Sequence, residues 1–303
     1  MLYDTDTPSF NPNKMYSALS ELALKADQMD EVLVADFNSL EATENHHIVP
    51  YTDRELQVRY DYFIQLIDTT FQQFEPLNRD TYSGTISYLL LTLLCSIDYL
   101  ILPHGKMLAD IEEIYNIYWK NKEALPAVEV NQRMATEIQK RLRSLSKEQF
   151  AQSVYKGMVT FPITGFIGQQ QFIDAVDSAI KESQWYVNNN HPQIAPIIVQ
   201  YAVANSYYNH TLPDVIDELS QLFMMVNHSD YCEALAPGFG YYNKSTGKVD
   251  AQKVSKKVQE ILARYQQKYP KLKFDLSKIN FENLYKFNVS FVFEISNSNL
   301  STQ

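Results

Sequence analysis

Two groups of side chains in this sequence have the types and spacing that acid–base chemistry or metal binding requires. The first is Asp98, which lies within an apolar run, with His104, which follows the end of that run. A carboxylate and an imidazole at one end of a helix could act as general acid and general base. A buried Asp is more simply explained by hydrogen bonds to Tyr, Ser or Arg side chains, so both residues remain weak catalytic candidates.

The second group contains the donor types that bind zinc: His228, Asp230, Cys232 and Glu233. A structural zinc site has four ligands, usually from two separated pairs, and the sequence offers no second pair. A single Glu-x-x-His unit occurs at residues 44–47, but a di-iron helix bundle needs two such units and further carboxylates. The four residues are therefore weak metal candidates, and an ordinary polar turn is the simpler explanation.

Other catalytic signatures are absent from the sequence. It contains no G-x-S-x-G nucleophile motif, no phosphate-binding G-x-x-x-x-G-K-[ST] loop and no G-x-G-x-x-G dinucleotide motif. Cys95 lies in the most apolar run, where a thiol is normally inert. These observations favour a protein that is not an enzyme, and they indicate no cofactor.

Two loops combine glycine with aromatic side chains. Residues 157–168 and 236–242 together hold five of the eight glycines of the chain, so the backbone is most adaptable there. Aromatic side chains in such loops can anchor a partner or stack on a ligand. The candidate binding residues are Phe161, Phe166, Phe239, Tyr241 and Tyr242.

Composition limits the classes of function. The chain has 303 residues, 45% of them hydrophobic, and a net charge of −10, which disfavours binding to a phosphate backbone. Its 21 tyrosines suit half-buried helix faces and protein interfaces. Two cysteines form no disulfide framework, and the first ten residues do not resemble a secretion signal. We therefore expect a cytoplasmic protein that does not bind nucleic acid.

The apolar run Ile86–Leu102 is the element around which the rest of the chain is expected to fold. Its few polar residues do not gather on one face of a helix, so the helix has no solvent side. A membrane span needs about 20 apolar residues, and Asp98 would be costly at the centre of a bilayer. The run is therefore predicted to be a buried core helix, with no membrane span in the chain.

Helical periodicity continues on both sides of this run. Near the N-terminus, apolar side chains recur at alternating spacings of four and three residues: Met15, Leu19, Leu22, Ala26, Met29 and Leu33. This is the spacing of a coiled-coil seam, although the segment is too short to establish a true coiled coil, and it is expected to pair within the fold or with another subunit. Capping-box spacings at Thr52–Glu55 and Ser146–Gln149 predict two further helix starts.

The period changes only near the C-terminus. In Lys286–Ser296, apolar residues alternate with polar ones, which predicts a strand with one buried face. Its nearest candidate partner is Lys271–Leu276, and an unpaired strand would offer an edge to another chain.

The sequence thus predicts a mainly α-helical, multi-helix globular bundle around a buried central helix (86–102), with a small C-terminal β element. A division into 1–160 and 161–303 is expected, although both parts could form one domain. The predicted function is non-enzymatic protein–protein interaction, as an adaptor, scaffold, immunity or effector-type protein with a protein partner or self-association. The alternative is an enzyme or small-molecule binder with an interhelical pocket at Asp98 and His104 or at residues 228–233.

Overall fold

The fold is mainly α-helical, as predicted. A computed structural model describes residues 12–37, 39–40, 48–157, 165 and 167–301. Its α-helices, in chain order, are α1 (Pro12–Asp36), α2 (Asp53–Phe74), α3 (Ser83–Ile101), α4 (Gly105–Asn121), α5 (Ala127–Glu137), α6 (Lys147–Ala151), α7 (Gln169–Asn188), α8 (Ala195–Asn209), α9 (Asp214–Asn227), α10 (Ser229–Leu235), α11 (Ala251–Tyr265) and α12 (Leu284–Ser296).

The central helix α3 is buried, as its composition predicts. Packed chiefly against α8, α2 and α5, it buries fourteen of its nineteen residues. Within the described part of the chain, this is the one helix long and apolar enough to cross a bilayer, and 78% of its apolar window is buried inside the fold. Its apolar surface is therefore covered by other helices of the same chain.

The β structure consists of two small antiparallel pairs. Strand β1 (Ile48–Val49) pairs with β2 (Lys156–Gly157), and β3 (Tyr242–Asn243) pairs with β4 (Lys248–Val249). The pair β3–β4 is a two-residue hairpin ladder that begins at the end of the aromatic loop 236–242. Helix α10 precedes that loop and was not predicted from the sequence.

The predicted strand at Lys286–Ser296 is wrong, because these residues form helix α12. The alternating polar positions are not a solvent face. Asn288 is fully buried and its side chain exchanges hydrogen bonds with that of Asn227, at 2.8 and 3.1 Å. Glu294 is also buried and accepts a hydrogen bond from the backbone N–H of Asp275 at 3.0 Å. Residues distant in the sequence form hydrogen bonds with these polar side chains, so the side chains can be buried in a helix. The alternation of polar and apolar residues therefore does not mark a solvent-exposed face of a strand.

The helix that begins with α5 continues as a π-helix over Ile138–Arg143. Its buried residues Val130, Met134, Ile138 and Leu142 are spaced by four, and all are fully buried. Residues spaced by four advance about 40° around an α-helix at each step, so such a stripe leaves the core after a few turns. The wider π turn, closed by i→i+5 hydrogen bonds, offsets this drift and returns Leu142 to the core.

The predicted helix starts are confirmed. Thr52 and Glu55 form a complete capping box at α2, and Ser146 and Gln149 form another at α6. Helix α6 is short and ends at Ala151, and Val154 forms an isolated bridge with Pro103.

One continuous hydrophobic core contains residues from both predicted parts of the chain, from Phe63 in α2 to Ile295 in α12. A second, smaller cluster lies between α7 and α8. The boundary predicted near residue 160 lies outside the described residues, and the division into two domains stays a prediction.

Candidate functional site

A buried polar cluster lies at the C-terminal end of the central helix. The Arg59 guanidinium donates hydrogen bonds to the backbone carbonyls of Leu100 (3.1 Å) and Ile101 (3.4 Å) and to the Tyr231 hydroxyl (3.0 Å). The Tyr231 hydroxyl also donates to Leu100, at 2.9 Å. Carbonyls at a helix C-terminus lack intrahelical partners and favour a nearby cation, so Arg59 acts as a structural cap.

His228 lies beside this cluster and is buried. Its Nδ1 is 2.6 Å from the Tyr62 hydroxyl, and its Nε2 is 2.6 Å from the Gln200 amide nitrogen. The amide nitrogen can only donate, so Nε2 accepts and Nδ1–H donates to the Tyr62 oxygen. Burial lowers the pKa of His228 to about 3, and the positive charge of Lys244 adds to this effect. His228 is therefore a neutral core residue at physiological pH.

The other members of the predicted metal group have separate partners. Asp230 forms an ion pair with Lys244 at 2.7 Å, and both side chains are exposed. One carboxylate oxygen of Glu233 accepts hydrogen bonds from the backbone N–H groups of Gly238 (2.9 Å) and Gly240 (2.8 Å). The part of the chain that the structure describes contains no group of three or more His, Cys, Asp or Glu residues that could hold a metal ion. Glu44 and His47 lie outside that part.

Neither cysteine resembles an activated nucleophile. Burial raises the pKa of Cys232 to about 11, and it raises the pKa of Cys95 well above its ordinary value. The thiolate is the reactive form of cysteine, so both groups are held in their unreactive form at neutral pH.

The two candidate acid–base residues have different surroundings. Asp98 is partly buried and accepts no hydrogen bond from any described side chain. Burial raises the pKa of Asp98 to about 7, with a smaller contribution from the nearby Glu112 carboxylate. The His104 ring instead stacks on Tyr155, with ring centroids 3.7 Å apart. An Asp98–His104 catalytic pair stays a prediction, and the described contacts give it no support.

Replacing Asp98 by Asn is expected to change how stability depends on pH. The raised pKa means that the folded state keeps this proton to higher pH than the unfolded chain, so the wild type loses stability between about pH 4 and pH 7. The Asn variant lacks this loss, so its free energy of unfolding relative to that of the wild type is expected to rise by about 2 kcal/mol between about pH 5.5 and pH 7.5. Urea titrations of the wild type and the variant at the two pH values measure this difference in free energy of unfolding. An equal difference at the two pH values would contradict the raised pKa.

The aromatic loop 236–242 is held against the body of the protein. The Ser229 hydroxyl accepts hydrogen bonds from the backbone N–H groups of Tyr241 and Tyr242, at 2.5 and 2.8 Å. Tyr241 is 5% exposed, and the Lys253 ammonium lies 4.6 Å from its ring centroid. Only Phe239, at 43% exposed, is an open aromatic surface among these three candidates. The candidates Phe161 and Phe166 lie outside the described residues.

The largest set of exposed apolar side chains lies elsewhere, on α1 and the residues that follow it. Among the described residues, eight of the fourteen exposed large hydrophobic side chains lie between positions 15 and 40. Their exposed fractions range from 37% to 70%: Met15, Tyr16, Leu19, Met29, Leu33, Val34, Phe37 and Leu40. A group of exposed apolar side chains on one helix is typical of an interaction site.

A cleft of about 580 Å³ opens between the end of α2, the start of α3, α5 and the π-helix. Its apolar lining is Phe71, Phe74, Ile86, Val128 and Ala135. Its polar lining is Glu75, Arg79, Asn131, Gln132, Thr136, Gln139 and Lys140. An interhelical pocket was expected at other residues. No motif marks this cleft, because its walls come from three separate segments.

Comparison with known proteins identifies no relative: no protein-family model, no curated protein and no solved structure matches this chain.

Proposed function

We propose that this chain is a non-enzymatic interaction protein that associates with a second copy of itself through α1. The observation that carries the proposal is the exposed apolar face of α1. Catalysis or metal binding at residues 228–233 has less support than an interaction at α1, because His228, Asp230 and Glu233 each form structural contacts. A cytoplasmic location belongs to the same proposal. So does the lack of a nucleic-acid partner, since a net charge of −10 repels phosphates.

The length of α1 supports the need for a partner. The helix has 25 residues, which corresponds to about 37 Å. It packs mainly against α4, which has 17 residues and spans about 25 Å. Helices in water owe most of their stability to the packing of an apolar face, and α1 retains exposed apolar residues along that length. A contact with a second protein along α1 would bury these exposed apolar side chains.

The spacing of the seam favours a second copy as the occupant. Its members alternate at intervals of four and three residues, which is the repeat of two helices packed as a coiled coil. Met15, Leu19, Met29 and Leu33 in this seam are between 38% and 52% exposed. A stripe with this repeat complements an identical stripe, so the same helix of another copy provides the matching surface.

Sedimentation of the full chain at micromolar concentration tests the proposal. The wild type is expected to be a dimer, and the double variant Leu19→Glu/Leu33→Glu is expected to be a monomer, because charges in the seam prevent its burial. Trp185→Glu is the matched control, since Trp185 is 51% exposed on α7, away from the seam. The control should remain a dimer. A monomeric wild type, or a dimer that survives the double substitution, would overturn the proposal.

A further inference from the structure

We propose that the cleft between α2, α3, α5 and the π-helix binds a small amphiphile that has an apolar body and one anionic group, such as a medium-chain carboxylate. This site is separate from the α1 surface. Its volume of about 580 Å³ lies within the range of about 300 to 1,000 Å³ that is usual for small-molecule sites.

The floor of the cleft suits an apolar body. Phe74 and Ile86 are buried core residues that also reach the cleft, and Phe71 packs beside Phe74 with ring centroids 4.8 Å apart. The buried polar residue in the floor, Asn131, is already satisfied. It donates to the Ser83 carbonyl at 2.7 Å and accepts from the Ser87 hydroxyl at 2.8 Å. The side chain of Asn131 therefore needs no hydrogen bond from a ligand, and an apolar group can lie against the floor.

The rim of the cleft is cationic. Arg79 donates one hydrogen bond to the Gln132 side chain at 2.8 Å and forms no ion pair with a described carboxylate. Lys140 also forms no ion pair with any carboxylate in the described ranges, although Glu75 lines the same cleft. With two cations against one carboxylate, the rim favours an anionic ligand group, and arginine is well suited to hold a carboxylate.

Lys140 differs from the two arginines of the π-helix in its surroundings. Arg141 pairs with Glu137 at 2.5 Å and with Asp110 at 3.0 Å, and Arg143 pairs with Asp68 at 2.7 Å. Both arginines thus neutralise carboxylates of the fold, whereas Lys140 lines the cleft. Short π segments within helices occur frequently at functional sites.

Isothermal titration calorimetry with decanoate, below its micelle concentration, tests the site in the full chain. Decanoate is expected to bind one molecule per chain, and decanol, which lacks the charge, about tenfold more weakly. Decyltrimethylammonium should bind no better than decanol. Absence of decanoate binding, or a preference for the cationic probe, would overturn the proposal.

Variants locate the binding. Arg79→Gln/Lys140→Gln is expected to weaken decanoate binding about tenfold, because two charge-assisted hydrogen bonds are lost. Ala135→Trp should abolish binding by filling the cleft. If that variant does not fold, the double Gln variant still tests the site. Arg79 and Lys140 are both exposed, so their replacement is not expected to unfold the protein. Lys256→Gln, on the exposed face of α11, is the matched control and should bind as the wild type does.

The α1 surface could also attract decanoate, so the titration is repeated with Leu19→Glu/Leu33→Glu. Unchanged binding in that variant supports the cleft, whatever the oligomeric state of the protein. Binding that disappears with the α1 substitutions but survives the cleft substitutions would contradict it.

Discussion

Replacing Phe291 by Ala is expected to lower the free energy of unfolding by about 3 to 5 kcal/mol, because it leaves a cavity in the core. Phe291 is fully buried in α12, and its ring contacts those of Phe223, Phe274 and Phe287, with centroids 4.9 to 6.4 Å apart. Phe293→Ala is the matched control. Phe293 is 45% exposed, so its loss should lower stability by less than about 1 kcal/mol.

The comparison of these two variants distinguishes a helix from a strand. In a strand, residues two apart lie on the same face, so both substitutions would affect stability alike. In a helix, positions 291 and 293 point about 200° apart. Urea-induced unfolding of the two variants measures the difference. Equal losses of stability would contradict the helical assignment of Leu284–Ser296.

Acidification is expected to destabilise the protein through His228. The pKa of His228 is about 3 in the folded state, against an ordinary value of 6.5. Below about pH 6.5 the unfolded chain takes up a proton that the folded state cannot hold, so this contribution to stability is present above pH 6.5 and declines as the pH falls toward 3. The loss at pH 5 is about 2 kcal/mol relative to pH 8.

Two measurements check this expectation. The imidazole resonances of His228, followed by NMR, should not shift between pH 8 and pH 5 while the protein stays folded. Urea unfolding should show that His228→Gln, although less stable at pH 8, loses about 2 kcal/mol less than the wild type on acidification to pH 5. A ring that titrates near pH 6.5 in the folded protein would refute the explanation.

Much of the fold is predictable because its signals are local. The central helix follows from an apolar run with no solvent face, and α2 follows from the Thr52 and Glu55 capping box. Each of these signals lies within one continuous segment of the chain. The same holds for the coiled-coil spacing of α1, whose helical structure is confirmed, whereas its pairing stays a prediction.

Helix α12 was not predicted because its polar residues are satisfied by residues far away in the chain. Asn288 pairs with Asn227, and its amide also donates to the Pro196 carbonyl at 3.3 Å. One local signal was present: the Asn283 side chain caps the helix by accepting from the backbone N–H of Lys286 at 2.9 Å. The aromatic and β-branched residues of the segment outweighed it, although strand propensity depends strongly on tertiary context.

The candidate sites were predictable in part. Single residues such as Asp98 and His228 stand out by type, but the sequence does not show which side chains lie next to them. Tyr62 and Gln200 form the hydrogen bonds to His228, and neither of them belongs to a motif. The cleft is still less predictable, because Phe71, Ile86 and Lys140 come together only through the packing of separate helices.

The order of helices along the chain has a consequence for synthesis. Helix α3 is the most apolar helix, and its main cover, α8, begins at Ala195, 94 residues after Ile101. At a translation rate of about 5 to 20 residues per second, the ribosome needs about 5 to 20 s to make the intervening chain. During that interval the nascent protein carries its most apolar helix without its main cover. Residues 83–101 are therefore a segment at which a chaperone that shields apolar chain on the ribosome is expected to act.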